Sequence, residues 1–340
     1  MPTRVNVGVI GAGRIGKLHA EHLAYRVPNA SILAIADVRL DAAERCAAEF
    51  QIPSAVQDHR KIMENPDIEA VVICSSTDTH AQMIEEAAAA GKHIFCEKPI
   101  DLDLARIDRA LEAVGKAGVK LQVGFNRRFD PNFKRVREMV AAGRIGTPHI
   151  LRITSRDPAP PPIEYVKVSG GIFLDMTIHD FDMARYLIGS EVTEIYAAGG
   201  VMVDPEIGEA GDIDTVVITL RFANGVIGTI DNSRKAVYGY DQRVEVFGSA
   251  GMVAVSNNTP DTAVYSNADG VHSSLPLFFF VERYTDSYIA EMQAFIECIQ
   301  QDKTPPVTSM DGRIPVVMGY AAQKSYQENR PVRLSEVDKA

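Results

Sequence analysis

The chain has 340 residues, 46% of them hydrophobic and 24% charged, with a formal net charge of −10. That length exceeds a usual single core and predicts two domains. The acidic balance and the dispersed Lys and Arg exclude nucleic acid and anionic membrane as main partners, and no apolar stretch approaches the ~20 residues that span a bilayer.

The first apolar run, residues 5–10, leads straight into Gly11-Ala12-Gly13-Arg14-Ile15-Gly16, and a helical pattern follows over 17–25. The next apolar run, 31–36, ends on Asp37. A strand, a G-x-G-x-x-G turn, a helix and a spaced acid are together what a dinucleotide site requires. Gly11 permits the turn, Gly13 lets a pyrophosphate approach the backbone, and Gly16 lets the helix pack close to the strand. Arg14 and Ile15 open the helix, whose N-terminal N–H groups favour phosphate. Asp37 is expected to accept hydrogen bonds from the adenosine ribose, which favours NAD over NADP. Arg39, two residues on, softens that preference by offering a 2′-phosphate a partner.

Strand-like runs at 70–74, 93–96 and 121–123 alternate with helical patterns at 41–50, 80–90 and 104–117. A short helix starts at Asp58-His59-Arg60 and stops at Asn65-Pro66-Asp67, and Gly91 and Gly118 read as helix ends. These βαβ units predict an α/β Rossmann domain with a doubly wound parallel sheet over residues 1–124. The pattern changes over 125–340. A helix at 131–142 and a strand at 149–155 precede a proline cluster at 158–162. A helix over 171–188 is followed by strand candidates at 194–199, 215–222, 226–233, 243–248 and 252–256, with Asn224-Gly225 as a hairpin turn. A final helix covers 288–301. The second domain is therefore expected to be α+β, with a large, mostly antiparallel sheet. Cys46, Cys74, Cys96 and Cys298 show no C-x-x-C spacing and read as reduced thiols. With the first strand starting at Val5, they predict a cytoplasmic protein.

Three groups of residues carry candidate chemistry. Glu97-Lys98-Pro99 follows a strand, and residues just past strand ends line the ligand crevice of a doubly wound sheet. Glu97 and Lys98 are therefore expected beside the cofactor. The loop with Ser75, Thr77 and His80 ends the preceding strand and faces the same crevice. Thr77 or Asp78 can also cap the helix that follows, and His80 by itself reads as structural. In the 171–188 helix, Asp175, His179 and Asp182 fall at i, i+4 and i+7, on one face. Acid, imidazole and acid beside Phe173, Leu174 and Phe181 suit a supported general base. A solvated helix face and a metal site from the same residues are the alternatives. No separate cluster of further ligands is present in the sequence, so no metal is expected.

Gly11-Ala12-Gly13-Arg14-Ile15-Gly16, Glu97-Lys98-Pro99, the run from Gly124-Phe125-Asn126-Arg127 to Asp130 and the run from Gly170 to Asp182 resemble, in order and spacing, the glucose–fructose oxidoreductase/inositol dehydrogenase family. Tyr238-Gly239-Tyr240-Asp241 and Glu282-Arg283-Tyr284 extend the resemblance. It implies NAD-dependent oxidation of a ring hydroxyl of a small cyclic polyol such as myo-inositol, bound between the two domains. It also implies that Lys98, Asp175 and His179 are the catalytic Lys, Asp and His. Asn126, Arg127, Asp182 and one of Tyr238 and Tyr240 fall where substrate hydroxyls are met. The family's enzymes are commonly tetramers that pair through the open face of the second sheet, so a homotetramer is expected. Another polyol or an aldose as substrate, and a non-catalytic NAD-binding sensor on the same fold, are the rival readings.

Overall fold

The computed structural model describes residues 4–338. The chain forms two compact units, one of Met1–Phe129 with Asp286–Ile314 and one of Asp130–Thr285 with Pro315–Ala340.

In the first unit, strands β1 (Val5–Ile10), β2 (Ala30–Ala36), β3 (Ser54–Val56), β4 (Ala70–Ile73), β5 (His93–Glu97) and β6 (Leu121–Gly124) form one sheet in the order β3-β2-β1-β4-β5-β6. Every pairing in it is parallel. Helices α1 (Arg14–Tyr25), α2 (Leu40–Phe50), α3 (Arg60–Met63), α4 (Thr77–Ala89) and α5 (Leu104–Ala117) make the crossovers. Strand order reverses at β1 and β4, and the crevice outside the strand ends at such a switch point is where ligands bind. Val7, Val9, Ile35, Val72 and Phe95 are buried in the core, as parallel strands covered on both faces require.

The first unit includes residues 125–129 and 286–314, which the sequence reading assigns to the second domain. Packing explains the difference: helix 285–300 contributes Met292, Phe295 and Ile296 to the same core as Val7 and Phe95. A single apolar helix stripe says that a core lies beneath it, not which core.

The second unit contains α6 (Pro131–Ala141), β7 (Pro148–Arg156), α7 (Ile163–Val166), α8 (Gly171–Asp175), α9 (Ile178–Ile188), β8 (Val192–Gly200) and α10 (Pro205–Glu209). Next come β9 (Thr215–Phe222), β10 (Ile227–Ser233), β11 (Asp241–Gly248), β12 (Gly251–Val255), β13 (Val264–Asn267), β14 (Gly270–Ser273) and α11 (Phe280–Arg283). After α12 (Thr285–Gln300), which belongs to the first unit, α13 (Ser309–Glu328) leads to a last short strand, β15 (Val332–Arg333). The main sheet runs β12-β11-β7-β10-β9-β8-β15 and is antiparallel except between β7 and β10. Strict alternation on β9 buries Val216, Ile218, Leu220 and Phe222 and leaves the other face open. Asn224-Gly225 makes the expected turn between β9 and β10, with Gly225 at φ +88°.

Two helix expectations need correction. Residues 171–188 are not one helix but α8 and α9, separated at Met176 and Thr177. The N–H groups of Met176 and Thr177 both reach the carbonyl of Ile172, at 3.0 and 2.9 Å, and the buried Thr177 hydroxyl donates to Asn232 Oδ1 at 2.6 Å. That side-chain bond competes with a continuous helical ladder. The helix at 285–300 is also not the last. Gly312, Pro315 and Gly319, all helix breakers by type, hide the 20-residue α13. Its Gly312 is a packing residue: a Cβ there would lie 2.5 Å from Ile100 Cδ1 and 2.9 Å from Val123 Cγ2.

Candidate active site

The end of β1 bends at Gly11, whose φ is +102° and whose N–H donates to the Ala36 carbonyl at 2.8 Å. A Cβ on Gly16 would lie 1.9 Å from the Gly11 carbonyl oxygen, so α1 packs directly on the turn. Gly13 differs. Its φ is −73°, open to any residue, and a Cβ there would meet no protein atom within 4 Å. Neither backbone geometry nor protein packing accounts for this glycine; the space beside it fits a group laid against the backbone at the head of α1. Asp37 holds the turn from the other side. Its Oδ2 accepts the Ala12 N–H at 2.7 Å and its Oδ1 accepts the Arg39 N–H at 2.8 Å. Arg14 and Ile15 form the first turn of α1. This loop fits a dinucleotide.

Ser75 lies at the end of β4, with its hydroxyl 2.7 Å from that of Thr79. The N-cap of α4 is Ser76, with extended backbone, rather than Thr77 or Asp78. Thr77 is the first helical residue. His80 is buried, with Nδ1 2.8 Å from the Pro99 carbonyl and Nε2 3.0 Å from the Ser75 carbonyl. Both ring nitrogens face protein, so His80 ties the Ser75 loop to the segment after Lys98. Lys98 itself is half-buried, and its peptide bond to Pro99 is cis. Just past β6, Asn126 and Arg127 are buried in a short 3-10 turn, and the Asn126 Nδ2 has no hydrogen-bond partner among the described residues. A buried amide without an acceptor is costly unless a ligand supplies one.

In the second unit, Asp175 ends α8. Its Oδ1 accepts the Tyr165 hydroxyl at 2.8 Å and its Oδ2 faces Arg234 Nη1 at 3.2 Å. Burial first, then the neighbouring Asp175 carboxylate, push the Tyr165 hydroxyl well up, so it remains a donor. Arg234 also lies 3.6 Å from Asp212. His179 and Asp182 share α9, three residues apart, and Asp182 is buried. Asp180 on the same helix accepts from Asn232 Nδ2 at 2.8 Å, which anchors α9 to β10. Tyr238 donates to Asp241 at 2.6 Å and accepts from Arg156 at 3.1 Å, whereas Tyr240 is buried edge-on against Tyr284.

Tyr165 and Arg234 went unnoticed in the sequence. Arg234 directly follows β10, a strand-end position like that of Lys98, and this was the available signal. Tyr165 sits in a four-residue helix after the proline cluster and gave none.

Residues 5–125 match the oxidoreductase family with an NAD-binding Rossmann fold, and residues 133–254 match the GFO/IDH/MocA C-terminal domain. A myo-inositol 2-dehydrogenase of Thermotoga maritima is 52% identical over 333 residues, which is 98% of this chain and 99% of that protein. The chain belongs to the GFO/IDH/MocA oxidoreductase family. Among solved structures, a probable dehydrogenase from Thermotoga maritima superposes with a TM-score of 0.96 at 52% identity, over 98% of this chain and all of the other. A Lactobacillus casei myo-inositol dehydrogenase in complex with NAD(H) and myo-inositol superposes with a TM-score of 0.87 at 26% identity, over 97% of each chain. The Rossmann unit of this GFO/IDH/MocA protein is thus an NAD-binding unit, and the turn at Gly11–Gly16 has the form that such a cofactor needs.

Proposed function

We infer that this chain is an NAD-dependent inositol 2-dehydrogenase, which oxidises a ring hydroxyl of myo-inositol or a close isomer to the keto-inositol. Full-length likeness to a myo-inositol 2-dehydrogenase carries the reading. The Asp175 site supports it, because a carboxylate held by Tyr165 and Arg234 is a fixed partner for a base rather than a solvated surface acid.

NAD bound at the Gly11–Gly16 turn supplies the hydride acceptor, nicotinamide C4. His179 takes the proton of the reacting hydroxyl, and Asp175 orients the imidazole and offsets its developing charge. The Lys98 ammonium donates to the same oxygen and stabilises its developing negative charge. Asn126, Arg127, Asp182 and one hydroxyl of the Tyr238/Tyr240 pair read the remaining hydroxyls; paired polar groups of this kind discriminate sharply among stereoisomers. Gly13, Arg14, Ile15, Asp37, Ser75, Thr77 and Glu97 shape the cofactor side, and His80 fixes the two loops there.

A homotetramer formed through the open sheet face is part of this reading. Ile227, Ile150 and Phe247 sit side by side on β10, β7 and β11 and are 46%, 43% and 45% exposed. Val217 and Met252 are exposed on the same sheet. Such an apolar patch marks an interface. All four cysteines are free thiols, as a reducing cytoplasm favours. Among the described residues, no helix is long and apolar enough to cross a membrane.

The test is NADH formation with a panel of inositol isomers and aldoses, each with NAD and with NADP. The reading expects strong NAD-dependent oxidation of myo-inositol. Activity confined to an aldose would move the substrate, and NAD binding without turnover of any panel member would favour a sensor.

A further inference from the structure

A second polar cluster lies within the first unit, below the Glu97-Lys98 strand end. Glu291 on α12 has no solvent exposure, and neither of its carboxyl oxygens has a hydrogen-bond partner among the described residues. His19 on α1 is equally buried and its Nε2 lies 2.7 Å from Glu97 Oε1. One side-chain polar atom from each of His19, Glu97 and Glu291 lies within 4.8 Å of the other two. Phe95 and Tyr288 pack edge-on against the His19 ring, with centroids at 5.1 and 5.7 Å. From β6, Gln122 Nε2 donates to the Glu291 backbone carbonyl at 2.8 Å, which fixes that turn of α12.

The neighbouring thiols and the His22 imidazole bring no positive charge. Cys74 past β4 and Cys96 on β5 are thiols that burial holds well above their ordinary value. His22, one turn along α1, is pushed down to about 4 by burial and then by His19. Lys98 follows Glu97 in the chain. Two carboxylates this close in apolar surroundings do not both ionise. Glu97 has an imidazole partner and is 12% exposed, whereas Glu291 has neither partner nor exposure.

We propose that Glu291 is a neutral carboxylic acid in the folded protein and that, with His19, it clamps Glu97 and so positions Lys98. The acid's O–H is the donor that the neighbouring Glu97 carboxylate, within 4.8 Å, can accept. Glu291 is a positioning residue: it acts through Glu97. Its effect on turnover rests on the reading of Lys98 as hydroxyl donor, but its protonation does not.

The sign of the pH dependence follows from the buried acid. Burial first, then the Glu97 charge, raise Glu291 well above its ordinary 4.5. The folded protein therefore keeps a proton that the unfolded chain releases. The stability this group contributes is full below about pH 4.5 and falls as pH rises toward the folded value. Gln, always neutral, escapes that loss.

The experiment compares full-length wild type with E291Q and E291L. The difference infrared spectrum of wild type minus E291Q at neutral pH is expected to show a protonated carboxylic acid band. The melting temperature of E291Q should exceed that of wild type by a margin that grows between pH 5 and 8 on the titration argument. E291L should lower kcat at least tenfold with NAD affinity retained, and E291Q should restore most of it. A carboxylate band in place of the acid band, or a stoichiometric divalent cation in the purified protein, would overturn the neutral acid. Unchanged kcat in E291L would overturn the clamp. Full activity in Lys98→Ala would instead sink the catalytic reading of Lys98 and leave the infrared result standing.

Discussion

Arg234 Nη1 lies 3.2 Å from Asp175 Oδ2, and only 1% of the Arg234 side chain reaches solvent. A guanidinium this deeply buried depends on its carboxylates, Asp175 and, at 3.6 Å, Asp212. Removing it leaves two acids without their cation. Arg234→Met is expected to destabilise the protein by about 3–5 kcal/mol, the usual cost of breaking a buried pair. Denaturant unfolding measures this. A loss under 1 kcal/mol would mean that the pair is solvated in solution.

Tyr165 is the gentler probe of the same carboxylate. Tyr165→Phe removes one donor to Asp175 and nothing from the core ion pair. A single such bond is worth about 0.5–1.5 kcal/mol, so kcat/KM should fall by a few-fold to about tenfold. Steady-state kinetics with myo-inositol check this, and an unchanged kcat/KM would detach Asp175 from the chemistry.

Two glycines of the β1 turn, Gly13 and Gly16, should part company. Gly16→Ala forces a methyl to 1.9 Å from the Gly11 carbonyl and should cost about 1–3 kcal/mol of stability. Gly13→Ala meets only open space and should leave stability unchanged while weakening NAD at least tenfold. Thermal melts with and without NAD separate the two. Equal NAD affinity in Gly13→Ala and wild type would remove the pyrophosphate from that turn.

Acid stability should reveal Asp311. Burial opposes its charge, but Arg128 at 2.8 Å and the backbone N–H and hydroxyl of Thr308 outweigh it and hold the carboxyl at about 2 instead of 3.8. A depressed acid contributes stability above its unfolded value and loses it as pH falls through the folded one. Asp311→Asn should therefore cost roughly 2 kcal/mol at neutral pH and flatten the stability curve between about pH 4 and 2. A parallel curve for the two proteins would count against it.

Legibility in the sequence followed the range of the interactions. Five of the six Rossmann strands are plain because doubly buried strands are short apolar runs, whereas the three-residue β3 at the sheet edge is only partly buried and carries no such run; the glycine turn is plain because its geometry is local. Asp175 and His179 read as one helical stripe, although the helix breaks between them; Thr177 bonds to Asn232, 55 residues away, and no local pattern reveals that. The same holds for Arg234 beneath Asp175 and for Glu291 beneath Glu97. Each is joined to its partner by tertiary contact alone. Helix α13 was lost for a different reason: Gly312 and Pro315 look like breakers, but Gly312 is a close-packing site against Ile100 and Val123.

The most direct measurement uses myo-inositol deuterated at the oxidised ring carbon, with NAD and the wild-type protein. The account predicts that the label appears at C4 of the reduced nicotinamide, in step with keto-inositol, and that Lys98→Met and His179→Gln abolish both while still binding NAD. Bound NAD with no label transferred from any inositol would contradict it.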